Sequence, residues 1–162
     1  MAESDSSVTF RVDKKGNPVN GRFEALNGSF TPPTADTSGK IYAAVAVASV
    51  DTDNRRRDGK IKGKGWFEAD AHPLVAFDGK VTAKPNTDAE LLAEGVITML
   101  GVQQPLTATL TPQTNSQGVT AYRTSFSVKR SDFGFTAGVA NGSVGDQVDL
   151  EVELAWQAEA TN

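Results

Sequence analysis

The chain has 162 residues, a formal net charge of −4, fifteen glycines, seven prolines and no cysteine. That length is enough for one domain with a sizeable core, and the lack of cysteine excludes disulfides and thiol chemistry. The pI of about 5.0 argues against a general nucleic-acid binder, and no apolar run approaches the roughly 20 residues of a membrane span. We therefore expect residues 1–162 to form a single soluble domain.

Alternation of apolar and polar residues, the pattern of half-buried strands, recurs along the chain. In chain order, strand-like segments cover 8–12, 19–30, 40–50, 75–84, 90–100, 105–112 and 119–130. The last segment, GDQVDLEVELAWQ at 145–157, is the clearest, because five apolar residues share one face: Val148, Leu150, Val152, Leu154 and Trp156. Turns rich in Gly, Pro, Asn and Asp separate most of the segments. Eight strands with short connections predict an all-β fold, either an up-and-down barrel or a two-sheet sandwich.

Two segments break the strand pattern and are predicted to form short helical turns. Residues 54–64 follow Asp53 and Asn54, and residues 131–135 follow Ser131. Side chains of these types cap helix N-termini, because their oxygen accepts a hydrogen bond from a backbone N–H of the first turn.

The strand at 40–50 has two weakly polar faces. Ile41, Ala43, Val45 and Val47 alternate with Tyr42 and three further alanines. Small residues let another element pack closely, or they leave room for a ligand. An eight-stranded barrel has an interior that side chains just fill, or that holds one small ligand. From the residues alone both outcomes remain open, and a filled core is the more ordinary one.

Positive charge is concentrated in one part of this acidic chain, the segment NRRRDGKIKGKGWFEADAHP at 54–73. Six cations precede the acidic residues that resume at Glu68, and Asp58 alone offsets them: Arg55, Arg56, Arg57, Lys60, Lys62 and Lys64. A basic run of this kind binds nucleic acid, an anionic membrane surface or a phosphate-bearing ligand, or it is a solvated loop. The acidic pI disfavours nucleic acid, and the other three explanations remain open.

The residues that catalysis or metal binding requires are scarce. With no cysteine and one histidine, a catalytic triad would depend on His72, which lies in a turn without a nucleophile motif. The glycine-rich segment 59–65 lacks phosphate-loop spacing, and the segment 51–59 places Arg55 and Arg56 where a calcium loop needs a ligand and a glycine. We therefore predict a protein that is not an enzyme, with no metal and no required cofactor.

Seven segments, in order along the chain, carry a resemblance to a known family. They are SSVTF (6–10), NPVNGRFEALNGSF (17–30), SVDTDNRRRD (49–58), WFEADAHPLVAF (66–77), EGVITMLGVQQPL (94–106), RSDFG (130–134) and VGDQV (144–148). Together they resemble the YceI-like family of lipocalin-like polyisoprenoid-binding proteins over about residues 6–154. The chain departs from the family pattern at Asp5, where a histidine is common, and at Gly63 and Gly65, which replace bulkier or polar residues.

The resemblance implies an eight-stranded antiparallel up-and-down barrel with a long apolar cavity. Such a barrel binds an extended amphipathic lipid, for example an isoprenoid quinone such as ubiquinone, a polyprenyl phosphate or a fatty-acid derivative. The protein would act as carrier, store or redox-associated binding protein, as a monomer or homodimer, with the membrane surface or a membrane redox protein as further partner. Family members are usually exported, so a periplasmic or extracellular location is expected for the mature form, although the segment MAESDSSVTF has no signal-peptide pattern.

The resemblance also implies which residues line the cavity. They are Phe10, Phe23, Ile41, Val45, Val47, Phe67, Phe77, Ile97, Met99, Phe126, Phe133, Leu150, Val152 and Trp156. Arg57, Lys60 and Lys62 are candidates for contact with a polar head group or a membrane surface at the mouth. Arg130 and Asp132 are interpreted as turn anchors and not as ligand contacts.

The alternative function is an extracellular β-type binding module, for example for carbohydrate, excised from a larger multidomain protein. Such a module would present exposed coplanar aromatic rings. Trp66 and Trp156 are the two tryptophans, and both lie in segments that the barrel already explains.

Overall fold

The computed structural model of the protein describes residues 6–115, 118–138 and 140–155. The described residues form ten strands, one α-helix and two 3₁₀ turns. The strands are β1 (Ser7–Lys14), β2 (Asn17–Phe23), β3 (Leu26–Thr31), β4 (Gly39–Ala46), β5 (Val50–Asp51), β6 (Leu74–Ala83), β7 (Leu91–Met99), β8 (Val102–Asn115), β9 (Gly118–Lys129) and β10 (Val144–Ala155). The helix α1 is Arg55–Ile61, and the 3₁₀ turns are Val47–Ser49 and Arg130–Phe133.

The strands form one antiparallel sheet in the order β3-β4-β6-β7-β8-β9-β10-β1-β2-β5. The sheet returns on itself because β2 and β3 are consecutive parts of one long segment, of which β2 pairs with β1 and β3 pairs with β4. At the corner between them, the N–H of Ala46 donates to the carbonyl of Ala25 at 3.0 Å and the N–H of Glu24 donates to that of Ser49 at 3.4 Å. The described residues thus form a barrel, and of the two predicted architectures the barrel is confirmed.

The predicted count of eight strands differs from the observed ten for a local reason. The predicted strand 19–30 bends at Glu24 and Ala25 and is assigned as β2 and β3, and the predicted strand 40–50 is interrupted by the turn Val47–Ser49. In that turn the Ser49 hydroxyl donates to the carbonyl of Ala46 at 2.7 Å, which takes the place of a ladder bond. The prediction of an unbroken strand to residue 50 is therefore wrong.

The first and last strands lie side by side. Ser7 of β1 is opposite Glu153 of β10, and Val12 is opposite Val148. Closure of the barrel therefore joins residues that are almost a whole chain length apart.

Pairing between β8 and β9 is confined to one end of the two strands. Thr111–Asn115 pair with Gly118–Arg123, whereas residues 102–110 of β8 pair with β7 and residues 124–129 of β9 pair with β10. The barrel wall therefore has a seam between β8 and β9, which the amide of Gln104 bridges by donating to the carbonyl of Asp132 at 2.9 Å.

The two helical turns were predicted close to their observed places. Asn54 caps α1, because its Oδ1 accepts from the N–H of Arg57 at 3.0 Å, as its residue type predicts. The second turn begins at Arg130, one residue before the predicted segment, and Lys129 is its cap residue. The prediction that Ser131 is the cap is wrong, since the Ser131 hydroxyl and N–H both donate to the carboxylate of Asp146, at 2.6 and 2.7 Å.

Apolar side chains of the strands meet inside the barrel in two connected clusters. One is centred on Val8, Phe23 and Val81, and the other on Ile97 and Phe133. Within the described residues, no helix is both long and apolar enough to cross a membrane.

Two facing glycines allow β6 and β7 to approach closely. Gly79 is opposite Gly95, and a Cβ built on Gly95 would overlap the carbonyl oxygen of Asp78. Because that oxygen belongs to the backbone, no rotation of a side chain relieves the overlap.

We expect Gly95→Ala to lower the free energy of unfolding by about 2 kcal/mol or more, through the strain of this overlap. Gly59→Ala in α1 is the matched control, because nothing lies within 4 Å of its Cβ position and alanine is favoured over glycine in a helix by roughly 0.5–1 kcal/mol. Urea unfolding followed by circular dichroism measures both variants. Equal effects on the two would contradict the close approach of β6 and β7.

Candidate functional site

The barrel interior contains a cavity of about 180 Å³. Apart from four cations and one threonine, its described lining is apolar. The apolar residues are Val8, Phe10, Val12, Val19, Phe23, Leu26, Ile41, Ala43, Val45, Ile61, Trp66, Phe67, Val75, Ala76, Phe77, Ala93, Ile97, Met99, Leu106, Ala108, Leu110, Phe126, Val128, Phe133, Phe135, Val144, Val148, Leu150, Val152 and Leu154. A cavity of roughly 150 Å³ is enough for a benzene ring in a protein core, so this interior has room for an apolar ligand.

Several inward-facing side chains are only half-buried because they border this empty space. Phe126, Leu150 and Val152 line the cavity and are half-buried, whereas the core residues around them are buried. The small side chains of Ala93 and Ala108 on neighbouring strands leave the space open. The sequence left open whether the barrel interior is a filled core or a lined cavity, and the structure shows a lined cavity.

Four aromatic rings form a continuous wall on one side of the cavity. Phe10 contacts Phe23 at 5.4 Å between ring centroids, Phe23 contacts Phe67 at 5.8 Å, and Phe67 contacts Phe135 at 5.0 Å. The last two contacts are edge-to-face, an arrangement that aromatic pairs prefer. This wall connects the strands to the loops that cover the end of the barrel beside α1.

The lining of the cavity reaches the surface at the β1–β2 hairpin and at α1. Lys14 of the hairpin and Lys60 of α1 are the exposed members of its described lining, and Arg57 of α1 is half-buried. Neither aspartate nor glutamate occurs in the described lining. We call Lys14, Arg57 and Lys60 the basic mouth, and its potential favours an anionic group.

Arg57 is held in place by its neighbours. Its Nε donates to Thr52 Oγ1 at 2.8 Å, and a terminal nitrogen donates to the Thr52 carbonyl at 2.6 Å. The Thr52 hydroxyl in turn donates to Asp58 Oδ1 at 2.5 Å. The guanidinium is therefore fixed at the mouth, whereas the ammonium group of Lys60 makes no ion pair among the described residues.

The opposite end of the barrel is narrowed by a ring pair across the interior. Phe30 of β3 and Tyr122 of β9 are not on neighbouring strands, and their centroids lie 5.5 Å apart. Burial raises the pKa of the Tyr122 phenol. Thr124, two residues further along β9, is the threonine of the cavity lining.

Arg130 is a buried cation that organises the loops beside the basic mouth. Its guanidinium donates to the carbonyl oxygens of Gly145, Ala137 and Val144 at 2.9, 2.9 and 3.2 Å, and it lies 5.0 Å from the ring of Trp66. Burial lowers the pKa of this guanidinium. Its donors are engaged with the backbone, which supports the interpretation of Arg130 as a turn anchor.

The structure brings together most of the residues that were predicted to line a cavity. Those that line it are Phe10, Phe23, Ile41, Val45, Phe67, Phe77, Ile97, Met99, Phe126, Phe133, Leu150 and Val152, together with Arg57 and Lys60 at the mouth. Their contact with a ligand remains a prediction. Trp156 lies outside the described residues.

The predicted placement of Val47 is wrong. Val47 is fully buried in the 3₁₀ turn after β4 and does not line the cavity, because the alternation of the strand ends at Ala46. Lys62 follows the last residue of α1 as its C-cap and is not part of the lining, and its contact with a head group or a membrane surface remains a prediction.

Sequence reasoning missed several lining residues. On β8 these are Leu106, Ala108 and Leu110, which alternate with threonines in a segment that was recognised as a strand. Thr124 was missed because it is polar, although it shares the register of Tyr122 and Phe126 on β9. Lys14 was missed because it follows the predicted end of the first strand.

The described residues contain no group of three or more His, Cys, Asp or Glu side chains that could hold a metal ion. Trp66 lies over Arg130 and lines the cavity, so its ring is not the exposed platform that a carbohydrate module requires.

A family model, the YceI-like domain, matches residues 1–156. The chain belongs to the YceI-like family. A UPF0312 protein of Yersinia pestis is 30% identical to this YceI-like protein over an alignment of 157 positions, which covers 90% of this chain and 79% of the relative. A UPF0312 protein of Shewanella oneidensis is 28% identical over an alignment of 155 positions, which covers 91% of this chain and 81% of the relative. The resemblance seen in the sequence is thus confirmed.

Solved structures show the same fold. BcnA of Burkholderia cenocepacia superposes on this YceI-like protein with a TM-score of 0.85 at 23% identity, over 96% of this chain and 99% of the other. A polyisoprenoid-binding domain from Saccharophagus degradans, implicated in plant cell wall breakdown, superposes with a TM-score of 0.72 at 18% identity, over 94% of each chain. At these identities the likeness establishes the architecture.

We expect Arg130→Met to lower the free energy of unfolding by about 3 kcal/mol or more, because three carbonyl oxygens lose their donors. Arg123→Met is the matched control, since Arg123 pairs with Glu153 at 3.0 Å on the exposed surface and such pairs contribute at most about 1 kcal/mol. Urea unfolding measures both variants, and a loss at Arg130 no larger than that at Arg123 would contradict the anchoring role.

Proposed function

We propose that this YceI-like protein binds a long-chain isoprenoid or quinone-like amphipathic lipid in the barrel cavity, as its carrier, store or redox-associated binding protein. The observation that carries the proposal is the apolar cavity that opens at the basic mouth. An apolar chain with a polar end matches such a lining, in which few polar groups interrupt a hydrophobic wall. The polyisoprenoid-binding domain among the structural neighbours is consistent with this ligand class.

The binding energy would come mainly from the chain. Burial of one methylene contributes about 0.8 kcal/mol, so each five-carbon isoprene unit that enters the cavity contributes up to about 4 kcal/mol before the cost of ordering. Selection would then depend on chain shape and length more than on head-group chemistry, and several related lipids would bind.

The cellular setting forms a further part of the proposal. We propose a periplasmic or extracellular protein, monomeric or homodimeric, that meets the membrane surface or a membrane redox protein when it exchanges its lipid. This part rests on membership of the YceI-like family.

The first test is organic extraction of the purified protein followed by mass spectrometry, with native mass spectrometry of the same preparation. We expect one isoprenoid lipid per chain, or stoichiometric uptake of added ubiquinone by the empty protein. A protein that is empty and takes up no added isoprenoid would overturn the proposal. Retardation of such a protein in a gel that contains soluble polysaccharide would favour the carbohydrate-binding alternative.

A bulky side chain on the inner face of β10 should block the cavity. We expect Leu150→Trp to weaken uptake of ubiquinone at least tenfold, because Leu150 borders the empty space. Glu151→Trp places the same ring on the outer face of the same strand, where Glu151 is exposed, and should leave uptake unchanged. Fluorescence titration and native mass spectrometry measure both variants, and equal losses in the two would contradict the location of the site.

Charge reversal at the basic mouth tests whether its cations contact a charged lipid head group. We expect Lys14→Glu combined with Lys60→Glu to weaken binding of a prenyl pyrophosphate by about tenfold, at about 0.5–1 kcal/mol for each cation, and to leave binding of the uncharged prenol of equal length unchanged. Arg56→Glu combined with Lys64→Glu is the matched control, since both residues are exposed and neither lines the cavity.

The same variants separate two sources of phosphate. Sedimentation with phosphatidylglycerol vesicles, against phosphatidylcholine vesicles, measures attraction to a membrane surface. If the mouth reversal weakens vesicle binding alone, then the cations meet the membrane. If it weakens neither, then Lys14 and Lys60 are solvated and contact neither kind of phosphate.

A further inference from the structure

One feature of the cavity is not explained by apolar chain binding. Thr124 is the single uncharged polar residue in the described lining. The residue is only 8% exposed, and its hydroxyl oxygen has no hydrogen-bond partner in the part of the chain that the structure describes. Buried side-chain hydroxyls nearly always have a partner, because an unsatisfied one loses its bonds to water without replacement.

The surroundings of Thr124 offer little to its hydroxyl. On the sheet it lies opposite Val152 of β10, and on its own strand Tyr122 and Phe126 share its face of the sheet. A valine has nearly the same shape and no unsatisfied group, so packing alone gives no reason for a threonine here. The hydroxyl is therefore available to a ligand in the cavity.

Thr124 lies some distance along the sheet from two cations of the lining, Lys14 and Arg130. Val152 opposite it pairs with Val8 of β1, and Lys14 is six residues further along β1, which is roughly 20 Å at the rise of a strand. Arg130 is also six residues away, beyond the far end of β9, and donates to backbone carbonyls. The nearest residues of Thr124 in the sheet, Val152, Tyr122 and Phe126, carry no charge, so an uncharged carbonyl or hydroxyl group fits this position without the large desolvation cost of a buried phosphate.

We propose that Thr124 forms a hydrogen bond with an uncharged oxygen, a carbonyl or a hydroxyl, at the inserted end of the bound lipid. The threonine hydroxyl donates to a carbonyl, and it donates to or accepts from a hydroxyl. This inference rests on the proposed function and specifies the orientation of the ligand. A quinone places a ring carbonyl beside Thr124, and its prenyl chain occupies the rest of the cavity.

The inference predicts selectivity between lipids of equal apolar bulk. A site that forms a hydrogen bond in an apolar cavity discriminates against a ligand that lacks the oxygen, because the hydroxyl is then left unpaired. Isoprenoid quinones should therefore bind more tightly than isoprenoid hydrocarbons.

The test compares Thr124→Val with the wild-type protein, using a prenylated benzoquinone and the hydrocarbon squalene as probes. We expect Thr124→Val to weaken quinone binding about tenfold, to leave squalene binding unchanged, and to raise the melting temperature of the empty protein. Thr124→Ser, which keeps the hydroxyl, should retain quinone binding. Thr107→Val on the exposed face of β8 is the matched control and should change neither affinity nor melting temperature.

The infrared spectrum of the bound quinone gives a second readout. A hydrogen-bonded carbonyl stretches at lower frequency, so the band should move to higher frequency in Thr124→Val and stay in place in Thr124→Ser. Equal weakening of quinone and squalene, or an unchanged carbonyl band, would overturn the hydrogen bond while leaving the proposed function intact. A wild-type protein that takes up neither probe would overturn both.

Discussion

The covered end of the barrel depends on one buried cation. Among the described residues, no carboxylate is in hydrogen-bond contact with the Arg130 guanidinium. It is satisfied by the carbonyl oxygens of Ala137, Val144 and Gly145 and lies against the ring of Trp66. Loops of this kind lack a ladder of their own, so their backbone acceptors need donors from elsewhere. Arg130 supplies three of them from one side chain, and the loops that border the basic mouth are fixed relative to the strands.

The strands can enclose an unfilled interior because the wall is held by backbone hydrogen bonds along most of its circumference. An unfilled space in a core normally lowers stability, since the residues around it lose contacts. Here Ala93 and Ala108 keep the space open, while the chain of rings from Phe10 to Phe135 packs one side of it. Stability is thus concentrated in the wall and at the covered end, and the interior remains free for a ligand.

The sequence predicted the strands well because each has one buried face, which gives alternation with a period of two. Sequence-based prediction failed at two positions where a side-chain hydrogen bond changes the local structure. Val47 does not line the cavity, because the chain turns after Ala46. Ser131 binds the carboxylate of Asp146 and does not cap a turn. A lined cavity could not be distinguished from a filled core, because Ala43 and Val45 suit both. Thr124 shows the limit most clearly, since its polar side chain breaks the apolar pattern at a position that lines the cavity.

The pairing of β1 with β10 has a consequence for how the site comes into being. Ser7 and Glu153 are opposite each other in the finished barrel, so the wall is incomplete until nearly all of the chain has been synthesised. Closure of so long a loop has an entropic cost that local turns do not share. A fragment that lacks either terminal strand cannot close the barrel wall, so the enclosed space depends on both ends of the described chain at once.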